Sequence, residues 1–274
     1  MLKLFFVLWC LIGIVPMTHA QDWQAAQGDI VRLETDAPQG VVNIRAFDID
    51  WPVKRLSDSR IVAWVGVGIK TKPATYPIVM SLDLADGRHF LRTDQLVVAK
   101  GNFRISRITV KKKHANFNPK SLARIRSDQR ALGRTYNMPV DANPDVQIDF
   151  MPVEGPITTP LGAQRYINGQ PRSPHTGVDI AAPEGTPAKT PLAGKVLLTE
   201  SMFLTGNSVV IGHGNGLYSV FVHLSEILVK EGQWLATGEV FAKVGQTGRA
   251  TGPHLHWSLR FHKKRVDPLS LLRK

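Results

Sequence analysis

Two short histidine motifs in the second half of the chain carry side chains that could bind a metal ion. His175 and Asp179 belong to the first motif, and His254 and His256 form the second. A further candidate, His223, lies between them. Imidazole nitrogens together with a carboxylate oxygen are the donors that zinc takes in hydrolytic sites. The sequence therefore predicts a metal-assisted hydrolytic site that draws on some or all of these side chains.

The spacing of the second motif places both of its histidines on one side of a strand. His254 and His256 are two residues apart on a predicted strand, so their side chains share a face, about 7 Å apart along the backbone. Leu255 and Trp257 then face the opposite side, toward a core. Either both imidazoles bind the metal, or one binds it while the other lies beside the bound water.

The first motif needs a bend to bring its two side chains together. On a straight strand, the backbones of His175 and Asp179 would be about 13 Å apart, which is too far for two ligands of one ion. Gly177 lies between them and permits a bend, and the Pro and Gly residues that follow argue against a helix. We therefore expect His175 on a loop that leads into a strand carrying Asp179.

The elements that position these motifs are predicted to be strands. Residues 150–274 are rich in glycine and in β-branched runs, with turns at Asn168-Gly169 and Thr247-Gly248. The candidate strands are Gly194–Thr199, Ser208–Gly212, Tyr218–His223, Val240–Val244 and His254–Phe261. We assign His213 to a loop and leave it outside the site.

The rest of the chain divides into three further segments. Residues 1–20 resemble a secretory signal, since one lysine precedes a short apolar run that ends in small residues. Residues 21–118 show short strands at the spacing of a small β-sandwich, with a hairpin turn at Asp86-Gly87. Residues 119–149 form a connecting helix, capped by Asn118, and a linker. The predicted fold class is mostly β, with an N-terminal β-sandwich, one helix and a C-terminal antiparallel sheet.

Composition favours an exported protein with an anionic partner. The chain carries 34 Lys and Arg against 22 Asp and Glu, a net charge of +12. Its single cysteine lies in the predicted signal, so the mature protein would have neither a disulfide nor a thiolate metal ligand. Export makes a cell-wall polymer or a membrane surface a better partner than nucleic acid. We expect no stable membrane span once the signal is removed.

In combination, these motifs resemble the lysostaphin-type zinc metallopeptidases, the LytM-like M23 family, which cut peptide cross-links of bacterial peptidoglycan. The resemblance covers residues 150–268 almost continuously. It rests on segments 174–181, 185–187, 194–196, 223–225, 245–248 and 252–256. It implies that His175, Asp179 and His256 are the zinc ligands, and that His223 and His254 flank the catalytic water and the developing oxyanion.

The resemblance also implies a mechanism and a substrate groove. The chain has no His-Glu-x-x-His motif, so a histidine must act as the general base in place of the usual glutamate. The groove of the family holds an extended peptide. Arg165, Tyr166 and Asn168 lie shortly before His175 and could line it, although a purely structural loop is an equal reading of these three residues.

The expected function is that of an exported zinc metalloendopeptidase, most simply periplasmic, acting on peptidoglycan stem peptides. The simple short signal and the lack of a wall-anchoring module favour D-alanyl–diamino acid bonds over glycyl bonds. Two alternatives remain open at this point. One is a non-catalytic peptidoglycan-binding regulator of other wall hydrolases, and the other is a secreted protease that cleaves glycyl-glycine bonds. The sequence leaves open whether residues 21–118 inhibit, target or brace the peptidase domain, which histidine is the base, and the oligomeric state.

Overall fold

The structure is a computed structural model that describes residues 20–110, 117–142 and 146–272. The predicted signal therefore lies almost wholly outside the described residues. No helix within these residues has the length and apolar character needed to cross a bilayer. The described chain is mostly β, as the sequence predicts.

The first half forms two sheets. Their strands are β1 (Asp22–Ala26), β2 (Ile30–Asp36), β3 (Val41–Ala46), β4 (Ile49–Trp51), β5 (Val53–Ser57), β6 (Arg60–Gly66), β7 (Ala74–Asp83) and β8 (His89–Ala99). The order is β1-β8-β7-β3-β4 in a five-stranded sheet and β2-β6-β5 in a three-stranded sheet. The predicted hairpin turn joins β7 to β8, with Gly87 at φ 83°. Buried and outward-facing residues alternate along most of β8, as expected for a strand with one covered face.

A single long helix, α1 (Pro119–Thr135), follows the first half. The Asn118 side chain caps it by accepting a hydrogen bond from the Ser121 amide at 2.8 Å, and Pro119 occupies the first turn, as predicted. Asp128 is buried on its inner face, where its carboxylate accepts hydrogen bonds from the Arg124 side chain and the Phe203 amide, each at 2.8 Å. The helix packs over the face of the second-half sheet that also bears His256.

The second half is built around one large sheet. One strand that precedes α1, β9 (Ile105–Ile108), also pairs with this half. The strands that follow α1 are β10 (Ile157–Thr159), β11 (Gln164–Ile167), β12 (Gln170–Pro171), β13 (Val178–Ala181), β14 (Pro187–Lys189), β15 (Gly194–Met202), β16 (Gly206–Gly214), β17 (Leu217–Leu224), β18 (Glu226–Ile227), β19 (Trp234–Leu235), β20 (Val240–Lys243), β21 (His254–Phe261) and β22 (Lys264–Val266). The order in the large sheet is β10-β13-β21-β17-β16-β15-β19, with β22 on β21. Two smaller sheets have the orders β14-β20-β18 and β12-β11-β9.

The strands predicted for the second half are confirmed, and their order in the sheet positions the site. β13, β21 and β17 are neighbours although they are far apart in sequence. Behind the site, Leu255, Trp257 and Phe221 are fully buried and form the core against which these strands are fixed. His254 and His256 face the other side, as the two-residue spacing predicts.

The two halves share an apolar core. Trp51 of β4 packs edge-on against Phe261 of β21, with ring centroids 4.9 Å apart. β9, which precedes the helix, pairs in parallel with β11 and so adds a third strand to the hairpin formed by β11 and β12. One continuous cluster of buried side chains runs from the first-half sheets into the second-half sheet.

Candidate metal centre

Strand pairing and one bend bring the first and second motifs together. Asp179 of β13 lies directly opposite His256 of β21 in the antiparallel register. The chain bends at Gly177, as predicted, and returns His175 to the same place. A Cβ atom at Gly177 would lie 2.3 Å from the Trp257 carbonyl oxygen, so a residue without a side chain is required by the close approach of β21.

His175, Asp179 and His256 converge on one point. His175 Nε2 lies 2.9 Å from His256 Nδ1, and the Asp179 carboxylate oxygen Oδ1 lies 2.9 Å from His175 Nε2 and 2.7 Å from His256 Nδ1. All three side chains are buried. Three donors this close together form a cluster that could hold a metal ion.

The hydrogen bonds around His175 determine which of its nitrogens faces the cluster. Its Nδ1 lies 3.0 Å from the Pro160 carbonyl oxygen, and a carbonyl can only accept, so Nδ1 carries the proton. Neutral His175 therefore presents the Nε2 lone pair to the Asp179 carboxylate. Electron-rich atoms therefore converge at this point. In metal sites, a ligating imidazole usually donates its other N–H to a backbone carbonyl or a carboxylate, which fixes its orientation. The donor set fits a divalent metal ion.

His223 and His254 stand beside the cluster with their Nε2 atoms free to take part in chemistry. The Nδ1–H of His223 donates to the Thr247 carbonyl and that of His254 to the Gly252 carbonyl, each at 2.8 Å. The two rings lie 4.8 Å apart between centroids. His254 Nε2 is 3.8 Å from Asp179 Oδ1, so this face of the sheet holds two further bases next to the three donors.

The backbone of His223 is held in an uncommon conformation. Its φ is 66°, in the left-handed region that costs a residue with a side chain about 1 kcal/mol or more. Its amide donates to the Thr205 carbonyl at 2.8 Å, which anchors the turn. The surrounding structure thus imposes the geometry that directs this imidazole toward the site.

Burial and mutual hydrogen bonding set the charges of the cluster. Burial alone would raise the pKa of Asp179, but the close contacts of its carboxylate with the imidazoles of His175 and His256 hold it far below its ordinary value. Burial lowers the pKa of His256 to about 4, and burial together with the neighbouring His254 lowers that of His223 to about 3. An ionised carboxylate and neutral imidazoles are the protonation states that bind a metal ion and accept a proton.

Two cavities flank the cluster. One, of about 300 Å³, is lined by His223 and His256, and the other, of about 270 Å³, is lined by His223, His254 and Asp179. Arg165 lines both. The donors therefore lie at the edge of open space in which a substrate could be bound.

The three residues predicted to line a groove are placed differently from one another. Arg165 points to the cluster, with Nη2 3.7 Å from Asp179 Oδ2. Tyr166 and Asn168 line neither cavity. The Tyr166 ring contacts the Arg107 guanidinium, and the Asn168 side chain exchanges two hydrogen bonds with the backbone of Val110. The latter contacts hold β9 beside the hairpin.

Two arginines beside the cluster were not singled out by sequence reasoning. Arg172 follows β12, and Arg249 lies in the turn after β20; both line the 300 Å³ cavity. Their positions in the sequence could have indicated them. Arg249 lies in the glycine-rich segment just before His254, and Arg172 lies just before His175. His213, assigned to a loop from the sequence, is instead fully buried in β16.

Comparison with known proteins relates the second half of the chain to a peptidase family. Residues 173–268 match the family model described as peptidase family M23. The chain is 48% identical over 97 residues to the peptidoglycan DD-endopeptidase ShyA of Vibrio cholerae, which is 35% of this chain and 23% of that protein. It is 38% identical over 115 residues to the DD-carboxypeptidase/endopeptidase Mpg of Neisseria meningitidis, covering 42% and 26%. The match thus spans about a quarter of each of these curated relatives.

A solved structure extends the similarity to most of the chain. A protein from Pseudomonas aeruginosa, described as a candidate peptidase M23, is 31% identical to this chain. The superposition has a TM-score of 0.68 and covers 90% of this chain and 94% of that one. The similarity therefore includes both halves of the chain. On this evidence, the chain belongs to peptidase family M23.

Proposed function

We propose that this chain is an exported zinc metalloendopeptidase that hydrolyses peptide cross-links of bacterial peptidoglycan, at D-alanyl–diamino acid bonds. The observation that carries the proposal is the convergence of two imidazoles and a carboxylate beside two further imidazoles at the edge of open cavities. The names of the Vibrio and Neisseria relatives, both endopeptidases, support the substrate class. The predicted signal in residues 1–20 supports export.

His175, Asp179 and His256 would hold the zinc ion. Two nitrogens and one oxygen suit its preference for borderline ligands, and three protein ligands leave a position open. Bound there, zinc would lower the pKa of a coordinated water and polarise the peptide carbonyl. The contact from His175 Nδ1–H to the Pro160 carbonyl keeps that imidazole in the orientation needed for binding.

His223 and His254 would move the proton. Their Nδ1–H groups donate hydrogen bonds to backbone carbonyls, so the lone pair of each ring is at Nε2 and can accept a proton from the attacking water. Once protonated, the same Nε2–H can donate to the developing oxyanion or to the leaving amine. One histidine acts as base and the other as donor, and mutagenesis decides which.

The defining experiment is digestion of purified sacculi by the mature chain, residues 21–274, with fragments identified by mass spectrometry. We expect loss of cross-linked dimers and a matching gain of monomers that end in D-alanine. His256→Ala serves as the inactive control. Unchanged sacculi, with zinc shown to be bound, would refute the proposed activity and favour a regulatory role. Release of glycine-terminated fragments from a glycyl-bridged wall alone would refute the proposed bond.

A pair of variants separates metal binding from proton transfer. His256→Ala removes a donor of the cluster and should abolish stoichiometric zinc in the purified protein. His254→Ala should retain zinc and lose hydrolysis by about 100-fold or more, the typical contribution of a general acid or base. Full activity of His254→Ala would show that the role given to this histidine is wrong.

A further inference from the structure

Three arginines lie beside the candidate metal centre, on the side of the flanking cavity of about 300 Å³. Arg165 is on β11, Arg172 follows β12, and Arg249 lies in the turn after β20. All three line the cavity of about 300 Å³ together with His223 and His256. The three residues therefore border the space in which the groups on either side of a scissile bond would lie.

Main-chain hydrogen bonds anchor the backbone at these arginines. The Arg172 amide donates to the Arg165 carbonyl at 2.8 Å, so the two residues face each other across the β11–β12 hairpin. The Arg249 amide donates to the Leu204 carbonyl at 2.7 Å, which fixes its turn. Their positions are thus determined by main-chain hydrogen bonds, independently of any ligand.

The two cavities are lined by more arginines than carboxylates. Among the residues that the structure describes, Asp179 is the one carboxylate that lines either cavity, and it already accepts a hydrogen bond from His256. Arg165 Nε is buried and has no hydrogen-bond partner. Burial lowers the pKa of Arg249, and so do the neighbouring charges of Arg165 and Arg172. Holding like charges together costs free energy that a bound anion would recover.

We propose that Arg165, Arg172 and Arg249 form a subsite for a carboxylate on the residue that supplies the amine of the scissile bond. This inference rests on the proposed function. Guanidinium groups bind carboxylates through paired hydrogen bonds, which makes arginine the suited side chain. Arg165 lies nearest to the cluster, 3.7 Å from Asp179, and so would contact the carboxylate closest to the bond that is cut.

The chemistry of peptidoglycan cross-links makes this subsite selective. In a D-alanyl–diaminopimelate link, the carbon attached to the scissile nitrogen also bears a free carboxylate. In a D-alanyl–lysine link, the equivalent carbon bears only hydrogen, and an internal glycyl-glycine bond offers no carboxylate next to the nitrogen. The arginine subsite would therefore select diaminopimelate-type cross-links and explain the choice among bonds open to this kind of peptidase.

The test uses two cross-linked muropeptide dimers that differ only at this carboxylate, one free and one amidated. The wild-type chain should cut the free acid with kcat/KM about 10- to 100-fold higher, the range expected for hydrogen bonds to a charged group. Arg165→Gln and Arg249→Gln should lose this preference, because each lowers kcat/KM for the acid more than for the amide and so brings the ratio of the two values close to one. Arg45→Gln, a change at an exposed residue of β3, is the matched control and should retain the preference.

Binding provides a second readout that does not depend on turnover. The zinc-loaded His254→Ala variant should bind the free acid about 10-fold or more tighter than the amide, and adding Arg165→Gln should abolish the difference. Equal binding and equal cleavage of the two dimers by the wild type would overturn the subsite and leave the proposed function intact. Cleavage of neither dimer would overturn the proposed function, and the binding comparison would then decide the subsite separately.

Discussion

The buried histidine of β16 predicts a specific loss of stability in mild acid. His213 has no exposed surface. Its Nδ1–H donates to the Ala193 carbonyl at 2.9 Å, and its Nε2 lies 2.8 Å from the Ser219 hydroxyl. The same hydroxyl oxygen lies 3.3 Å from Trp257 Nε1, which can only donate. Ser219 therefore gives its proton to His213, and the network is complete only when His213 is neutral.

The magnitude follows from proton linkage. Burial lowers the pKa of His213 from 6.5 to about 4, despite its bond to the Ala193 carbonyl. The unfolded chain binds a proton at this residue below pH 6.5, whereas the folded chain does not until about pH 4. Stability is therefore fully present above pH 6.5 and is lost as the pH falls. The loss is about 2 kcal/mol at pH 5 and about 3 kcal/mol once the folded form is also protonated.

The assay is equilibrium urea unfolding of the wild type and His213→Gln at pH 7.5 and pH 5.0. The variant lacks the titrating group, so the difference in free energy of unfolding between the two proteins should shrink by about 2 kcal/mol at the lower pH. Histidines at the candidate metal centre are common to both proteins and cancel in the difference. Ser219→Ala is the matched control, because it disrupts the same network but keeps the histidine. Its difference from the wild type should change little with pH.

A pH-independent difference between the wild type and His213→Gln would refute this reasoning. It would mean that His213 binds the same number of protons in the folded and the unfolded chain between pH 7.5 and pH 5.0. A shift of equal size in Ser219→Ala would also contradict it, since the effect would then follow damage to the network rather than loss of the titrating group.

Four further predictions concern the packing and the metal. Gly177→Ala should push β13 away from β21, because its Cβ would meet the Trp257 carbonyl; we expect a loss of about 1–3 kcal/mol in unfolding free energy and weaker zinc binding by titration. Asp128→Ala should cost about 1–3 kcal/mol in urea unfolding by leaving the Phe203 amide without its partner, and Asp128→Asn should cost less. Trp51→Ala should lower the free energy of unfolding by about 3–5 kcal/mol, since it leaves a cavity where the two halves share a core. An unchanged melting temperature would show that the halves do not stabilise each other. Removal of metal by a chelator should lower Tm, because zinc at a thousandfold above its Kd stabilises the folded state by about 4 kcal/mol. A Tm that does not respond to chelator would argue against metal binding in the folded state.

Local pattern by itself was sufficient for the elements that carry the chemistry. The alternation of polar and apolar residues around His254 and His256 predicted a strand with both imidazoles on one face, and β21 has these bounds. Asn118 and Pro119 predicted the start of α1, and the capping bond is present. Such features depend on residues close together in sequence, so the backbone periods of 2 and 3.6 residues and the capping chemistry are enough to reveal them.

Residues far apart in sequence were positioned by the tertiary structure alone. The need for a bend at Gly177 could be read from the sequence, but its physical reason, contact with the backbone of β21, could not. A loop assignment for His213 was wrong because the apolar surroundings that bury it come from other strands. Arg165, Arg172 and Arg249 gather around one cavity only because the hairpin and the turn meet across the sheet. Sequence thus determined the types of chemical groups and their local faces, whereas strand order and packing decided which of them meet, since burial, charge and hydrogen bonding depend on neighbours that no local pattern contains.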